Sequence, residues 1–372
     1  MIFDYQFRNY NFRALIYMIL LSVLGILVVG SASNQDRSSV IKQIIGVVVS
    51  LIICLVLSLI DYHQYFRFTT LIYVVCAGML AAVLLLGRPT RGATRWLRIG
   101  GIQIQPSEFV KIGLILILAN FLSRNREKIN EPKTLGMTAL ICALPVGMVY
   151  LQPNLSTTIV ICFMILCMVY VAGISYKWIA GAVAVGVPGF AALIYLSLQG
   201  FIPFLQKYQA QRIMGKIFHS SSEFTDLNRQ QDNSMMAIGS GQLRGKGLFN
   251  NTLSSVKNGN FLSEEQTDFI FAVIGEELGF VGGVAVIALY ALLVYECLWI
   301  AARAKDTAGR LIASGMAALL AFQSFANIAG IFPNTGLPLP FISSGLSSLL
   351  SMFIGMGVVL NVGLQRNNVT VQ

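Results

Sequence analysis

Four arginines, Arg88, Arg91, Arg95 and Arg98, fall between two long apolar runs, with no acidic residue from Gly87 to Gln105. Guanidinium forks match phosphate oxygens in a way that an ammonium does not. The chemistry this spacing suits is the capture of a phosphate or diphosphate. The stretch Arg88-Pro-Thr-Arg-Gly-Ala-Thr-Arg-Trp-Leu-Arg98 leads into Gln105-Pro-Ser-Glu-Phe-Val-Lys111. Pro106 suits the first turn of a helix, whose free N–H groups add anion affinity. Loose attraction to anionic lipid headgroups would need the arginines alone; Trp96 and the helix start add geometry.

Asp268 is the acid best placed for proton transfer. It lies in Phe261-Leu-Ser-Glu-Glu-Gln-Thr-Asp-Phe-Ile-Phe-Ala-Val-Ile-Gly-Glu-Glu-Leu-Gly279, where a long polar segment meets an apolar run. A carboxylate at such a half-dry boundary can gain the proton affinity of a general base. The alternative is that Asp268 or Thr267 merely caps a helix. Glu276 and Glu277 suit capping or packing better than catalysis. Glu108 and Lys111, three apart, share one helix face. An unpaired charge at mid-membrane costs about 2.5–3.5 kcal/mol, so an ion pair is expected. That pair either pins its helix to neighbours or brings Lys111 to the wall of an anion cavity.

Ala237-Ile-Gly-Ser-Gly-Gln-Leu-Arg-Gly-Lys-Gly247 superficially resembles a phosphate loop. It fails the required spacing, because position 240 is serine and Lys246 is followed by glycine. A tight turn with local anion affinity through Arg244 and Lys246 is the expectation. Gln152-Pro-Asn154-Leu-Ser-Thr-Thr158 is an outer turn. Pro333-Asn-Thr-Gly-Leu-Pro-Leu-Pro-Phe-Ile-Ser-Ser-Gly345 is a Pro/Gly break of the kind tolerated only where protein surrounds it or a cavity adjoins it. His63 and His219 are isolated, on opposite sides, and are read as neither ligand nor base.

These residues must be positioned by membrane helices. Apolar residues make up 56% of the 372 and charged ones 11%, with a mean hydropathy of +0.72, more apolar surface than a soluble domain can hide. The net charge of +10 reflects the cytoplasmic Lys/Arg bias of such proteins and not a nucleic-acid partner. All six cysteines lie in apolar runs, without disulfide or metal spacing. Arg8 and Arg13 precede a run long enough to span, with no small-residue cleavage site. Stretches able to cross roughly 30 Å of hydrocarbon occur at 14–32, 44–60, 69–87, 107–122, 134–151, 156–173, 178–198, 279–301, 311–332 and 346–364. The expected fold is an all-α polytopic membrane domain over 1–372. It has about ten transmembrane helices and one long extracytoplasmic loop, 199–267, between the seventh and eighth. Phe201, Phe204, Phe218 and Phe249 of that loop are candidate membrane-surface anchors.

With the N-terminus inside, inner segments hold twelve cations: Arg8, Arg13, Arg67, Arg124, Arg126, Lys128, Lys133, Lys177, Arg303, Lys305, Arg310 and Arg366. The short outer loops hold six, namely Arg37, Lys42 and the four arginines. Both termini are therefore expected in the cytoplasm, and the arginine loop and the 199–267 segment outside.

Together these segments resemble the SEDS family (shape, elongation, division and sporulation) of peptidoglycan glycosyltransferases, typified by RodA and FtsW. The resemblance covers nearly the whole chain. It rests on the arginine/tryptophan loop with Gln-Pro-Ser-Glu-Phe-Val-Lys, the Ala-Ile-Gly-Ser-Gly…Gly-Lys-Gly stretch, Thr-Asp-Phe-Ile-Phe-Ala-Val-Ile-Gly-Glu-Glu-Leu-Gly and Gly-Leu-Pro-Leu-Pro-Phe. The start, Phe3-Asp-Tyr…Asn11-Phe, is closer to RodA than to FtsW. The resemblance implies an enzyme of the bacterial plasma membrane that polymerises lipid II at the outer face for cell elongation, with release of undecaprenyl diphosphate. Its essential acid would be Asp268, acting as base. Arg88, Arg95, Arg98 or Lys111, with Trp96 and Glu108 beside them, would serve the diphosphate and sugar. No cofactor is demonstrated; a divalent cation such as magnesium could share the task. The implied partner is a class B penicillin-binding protein.

Three places depart from the family's usual pattern. The turn usually reading Gln-Pro-Asp-Leu-Gly-Thr has Asn154 and Ser156, Ser263 stands where proline is common, and the usual Ser-Tyr-Gly-Gly-Ser has Ser344 and Leu346. Alternatives are a lipid II flippase, though no inverted repeat is visible, or a non-catalytic scaffold for the transpeptidase in elongation, division or sporulation.

Overall fold

A computed structural model describes residues 9–33, 36–87, 95–99, 102–198, 225–249, 255, 262, 265–330 and 337–365. Its helices are α1 (Phe12–Ala32), α2 (Arg37–Ser58), α3 (Tyr62–Arg67), α4 (Thr69–Leu86), α5 (Pro106–Arg124), α6 (Pro132–Leu151), α7 (Leu155–Val171), α8 (Tyr176–Leu198), α9 (Thr225–Ser240), α10 (Ile270–Ala302), α11 (Thr307–Ile328) and α12 (Leu346–Leu364). Each expected apolar stretch has a helix as its counterpart. Eight of the described helices are long and apolar enough to cross a membrane, and α7 is shorter at 17 residues. The chain is a polytopic all-α membrane protein.

Two elements were not expected. α9 lies within the 199–267 segment. A two-stranded antiparallel ribbon, β1 (Leu97–Ile99) with β2 (Ile102–Ile104), closes the arginine loop and sets Arg98 opposite Gln103. Alternating Leu97, Ile99, Ile102 and Ile104 suit such a pleat.

α5, α11 and α12 form the most enclosed layer, while α2, α4 and α6 turn most of their surface outward. Charge explains the choice for α5. Glu108 and Lys111 cannot face lipid cheaply, and both are 0% exposed. Between α11 and α12 the non-helical stretch Leu337–Ser343 is buried throughout. Irregular backbone at that depth persists only when protein groups satisfy it, and here they do. Gln323 Nε2 donates to Pro338 O at 2.9 Å and Asn327 Nδ2 to Leu337 O at 2.7 Å. The Tyr290 hydroxyl donates to Pro340 O, and Leu339 N to Ser343 Oγ at 2.8 Å.

The opposite end of the bundle carries a second polar cluster. His63 is not isolated, as its sequence neighbourhood suggested. Its two ring nitrogens lie 2.8 Å from Asp61 Oδ1 and 2.8 Å from Asp306 Oδ2, the latter supplied from 243 positions away. Asp306 also caps α11 through Gly309 N at 2.7 Å. His219 lies outside the described residues.

Candidate active site

Asp268 sits, half-buried, in the turn 265–269 that leads into α10. Three consecutive carbonyls of that turn are tied to the core. Ser344 N donates to Gln266 O at 2.9 Å, Ser343 Oγ to Thr267 O at 2.6 Å, and Asn327 Nδ2 to Asp268 O at 3.0 Å. The cap position of α10 falls on Phe269, which makes no side-chain cap bond. Asp268 and Thr267 stand one and two positions before that cap residue.

The arginine ribbon reaches the same stretch from its other side. Ser347 Oγ accepts from Gln105 N at 3.1 Å and donates to Gln103 O at 3.4 Å. Residues 343–347 therefore join the Asp268 turn to the ribbon. Arg98 is exposed; with its amide oxygen turned inward, Gln103 accepts from Arg98 Nε at 3.2 Å and Nη2 at 3.0 Å. Arg95 donates to Pro153 O, and Trp96 is half-buried beside it. Arg88 and Arg91 lie outside the described residues.

Lys111 is fully enclosed. Its ammonium donates to Glu108 Oε1 and Oε2, each at 2.9 Å, and to Gln323 Oε1 at 2.7 Å. In this conformation it does not face open space. Gln323 passes the contact on to Pro338 O, so the pair braces the segment that holds the Asp268 turn.

The sequence matches the family described as "Cell cycle protein", which spans FtsW, RodA and SpoVE, over residues 12–368. The chain belongs to this family. It is 36% identical over 357 residues to the peptidoglycan glycosyltransferase MrdB of Escherichia coli (strain K12), covering 95% of this chain and 93% of that protein. Among solved structures, one from work titled "Structural coordination of polymerization and crosslinking by a peptidoglycan synthase complex" matches with a TM-score of 0.78 and 28% identity, over 95% of this chain and 97% of that one. An alanine-for-aspartate mutant of the Thermus thermophilus rod shape determining protein RodA matches with a TM-score of 0.70 and 27% identity, over 96% and 98%.

Two departures from the FtsW/RodA/SpoVE pattern have a structural account. Asn154 is the N-cap of α7, its side chain accepting from Thr157 N at 3.4 Å. An amide caps about as well as the family's usual carboxylate. Ser344 meets Gln266 through its backbone N–H, a bond indifferent to side-chain identity. Ser263 lies outside the described residues.

The glycine-rich stretch serves α10. That helix breaks at Gly279 (φ 67°, ψ −165°), a conformation open to glycine. The freed carbonyls of Glu276 and Glu277 accept from Lys246 N and Gly247 N, both at 2.9 Å, and Phe280 N and Val281 N donate to Gln242 O (2.8 Å) and Leu243 O (3.2 Å). A Cβ on Gly245 would fall 2.2 Å from Glu277 O. The stretch is thus a clasp across a helix break. Lys246 Nζ pairs with Glu276 at 2.7 Å, Arg244 is exposed, and buried Glu277 accepts from Ser31 Oγ at 2.5 Å.

Sequence reasoning missed Asn327, Gln323 and the docking serines. A signal was available for the first two. They lie four apart, on one face of an otherwise apolar span, where an amide without a partner is costly.

Proposed function

We propose that this chain is a peptidoglycan glycosyltransferase that polymerises lipid II at the outer membrane face, with both termini cytoplasmic and Asp268 as general base. The observation carrying the reading is that residues 343–347 tether both the Asp268 turn and the arginine ribbon. In the reaction, Asp268 takes the proton of the acceptor sugar hydroxyl as its oxygen attacks the donor's anomeric carbon from the face opposite the lipid diphosphate. The new glycosidic C–O bond forms as the bond from carbon to phosphate oxygen breaks, and configuration inverts. The electron pair leaves with undecaprenyl diphosphate. Arg95 and Arg98 are assigned to that developing charge, with Arg88 of the same loop, because guanidiniums near a leaving phosphate stabilise it most in the transition state. Trp96 offers the sugar an apolar face. Lys111 and Glu108 act from the core by holding Gln323.

Among the described residues no three His, Cys, Asp or Glu side chains group as a metal site. A magnesium ion would then be held largely by the diphosphate itself. A class B penicillin-binding protein is proposed as the partner that cross-links the product by acyl transfer.

The test is polymerisation of labelled lipid II by the purified protein in nanodiscs. Asp268→Asn should lower the rate by about 10²–10⁴-fold, the range of general-base contributions, without unfolding the chain. A loss below tenfold, or translocation of lipid II without any polymer, overturns the assignment.

A further inference from the structure

A groove of about 350 Å³ runs between α1 and α2 at the end of the bundle that carries Asp268. Leu27, Gly30, Val40, Ile41 and Phe249 form its almost wholly apolar wall, and Arg37 stands at its mouth. The ends match because Ser31, next to Gly30, bonds Glu277, about two helical turns below the start of α10. Leu27 and Ile41 are 42% and 53% exposed, so the groove opens sideways, where a bilayer supplies hydrocarbon.

Three features distinguish this groove from an ordinary lipid-facing seam. Arg37 is exposed at the first turn of α2, where the apolar run ends, and among the described residues no acidic side chain pairs with it. Its neighbour Asp36 is turned away to cap the helix, accepting from Ser38 N (3.2 Å), Ser39 N (3.1 Å) and Ser39 Oγ (2.8 Å). Gly30 forms the floor with no side chain of its own, and a Cβ there would already crowd the walls, 3.3 Å from Val40 Cγ2 and 3.7 Å from Phe249 Cε1. Phe249 is held in the left-handed region (φ 61°), with its backbone N–H on Ser31 Oγ at 3.1 Å. Strained non-glycine residues persist where surrounding contacts determine them, often at ligand clamps.

We infer that this groove is a binding site for one anionic phospholipid, an acyl chain lying against Gly30 and Phe249 and the phosphate on Arg37. A single guanidinium fork suits one phosphodiester; a diphosphate would call for several, as the arginine ribbon offers. The occupied groove also braces Phe249, and through Ser31 and Glu277 it braces α10 beside its break.

The experiment is native mass spectrometry of the full chain, delipidated in detergent and then exposed to phosphatidylglycerol or phosphatidylcholine vesicles. One phosphatidylglycerol per chain should be retained at least tenfold over phosphatidylcholine. Gly30→Leu, which fills the floor, and Arg37→Gln, which removes the fork at an exposed position, should each abolish that preference. Equal retention of the two lipids, or preference unchanged in both variants, overturns the site. Displacement by undecaprenyl phosphate or by inorganic phosphate at equal concentration overturns the phospholipid assignment. Because lipid retention is read and not polymer, the outcome is independent of the role given to Asp268.

Discussion

Removing the Lys111 ammonium is the sharpest test of how the core holds the site. Lys111→Met leaves the Glu108 carboxylate at 0% exposure, without the two 2.9 Å bonds that neutralise it. Breaking a buried pair from one side costs roughly 3–5 kcal/mol, whereas replacing both members with neutral groups is often tolerated. Gln323 Oε1 also loses its 2.7 Å donor, adding about 1 kcal/mol or more. Glu108→Gln should cost a similar amount by orphaning the ammonium. The double variant should be less destabilised than the two singles summed, by about 2–3 kcal/mol, the upper range for residues in contact. The measurements are unfolding midpoints in one detergent and, in parallel, lipid II polymerisation per folded molecule. Activity should fall alongside stability, since the strut ends on Pro338. If Lys111→Met unfolds like the parent yet makes no polymer, the lysine meets substrate directly and the bracing argument is wrong.

Three further outcomes are expected. Asn327→Ala removes the bonds to Asp268 O and Leu337 O; a displaced base can cost on the order of 10²-fold in rate, so polymerisation should drop far more than stability, and an unchanged rate would show that other contacts suffice. Gly279→Ala forces a side chain into φ 67° with its Cβ 2.3 Å from Gly245 N, so its unfolding midpoint should fall by the equivalent of about 1–3 kcal/mol. The control Gly239→Ala, helical and with nothing within 4 Å of its Cβ, should gain up to about 1 kcal/mol. At the opposite end, burial pushes the Asp61 carboxyl up, but bonds from Gln365 and from the His63 backbone and ring outweigh it and hold it below its ordinary value. A depressed carboxyl stabilises the fold above the ordinary value of about 3.9 and stops doing so as pH falls through the lowered one. The thermal midpoint should therefore decline in acid, less steeply in Asp61→Asn; identical slopes would remove Asp61 from the account.

What could be read in advance follows from the range of each interaction. Hydropathy is local, so the apolar runs mark the helices, and the eighth expected stretch begins at Gly279, where α10 breaks. Asp268 stood out because a carboxylate at a polar-to-apolar junction is conspicuous within a few residues. Partners from distant segments were not legible. His63 and Asp306 are 243 positions apart, Ser343 and Thr267 are 76 apart, and no local pattern announces either pairing. The spacing of the glycines of 239–247 suggested a tight turn with anion affinity; what it did not announce is that Gly241 and Gly245 let one backbone lie against another at the α10 break. The ribbon escaped notice because its two strands have three residues each, too few for alternation to register against neighbouring helices.

The two halves of the site are held differently, in keeping with the demands of the chemistry assigned to them. A general base must stand within hydrogen-bond reach of one particular proton, and catalytic groups lose effect when placed more than about 0.5 Å off. The Asp268 turn is correspondingly tied through three successive carbonyls to Ser343, Ser344 and Asn327. Ser343 closes, and Ser344 follows, a buried segment that Gln323 and Tyr290 hold in turn, Gln323 itself being held by Lys111, while Asn327 reaches from α11 to both that segment and the turn. Neutralising a diphosphate asks less of any one contact, because its charge is spread over several oxygens that several guanidiniums of one loop can share. The ribbon meets the core through Ser347 at 3.1 and 3.4 Å and keeps Arg98 exposed. Under the proposed reaction, a tethered acid beside a less constrained cationic arm would let successive lipid-linked sugars enter and leave while the proton acceptor stays in register.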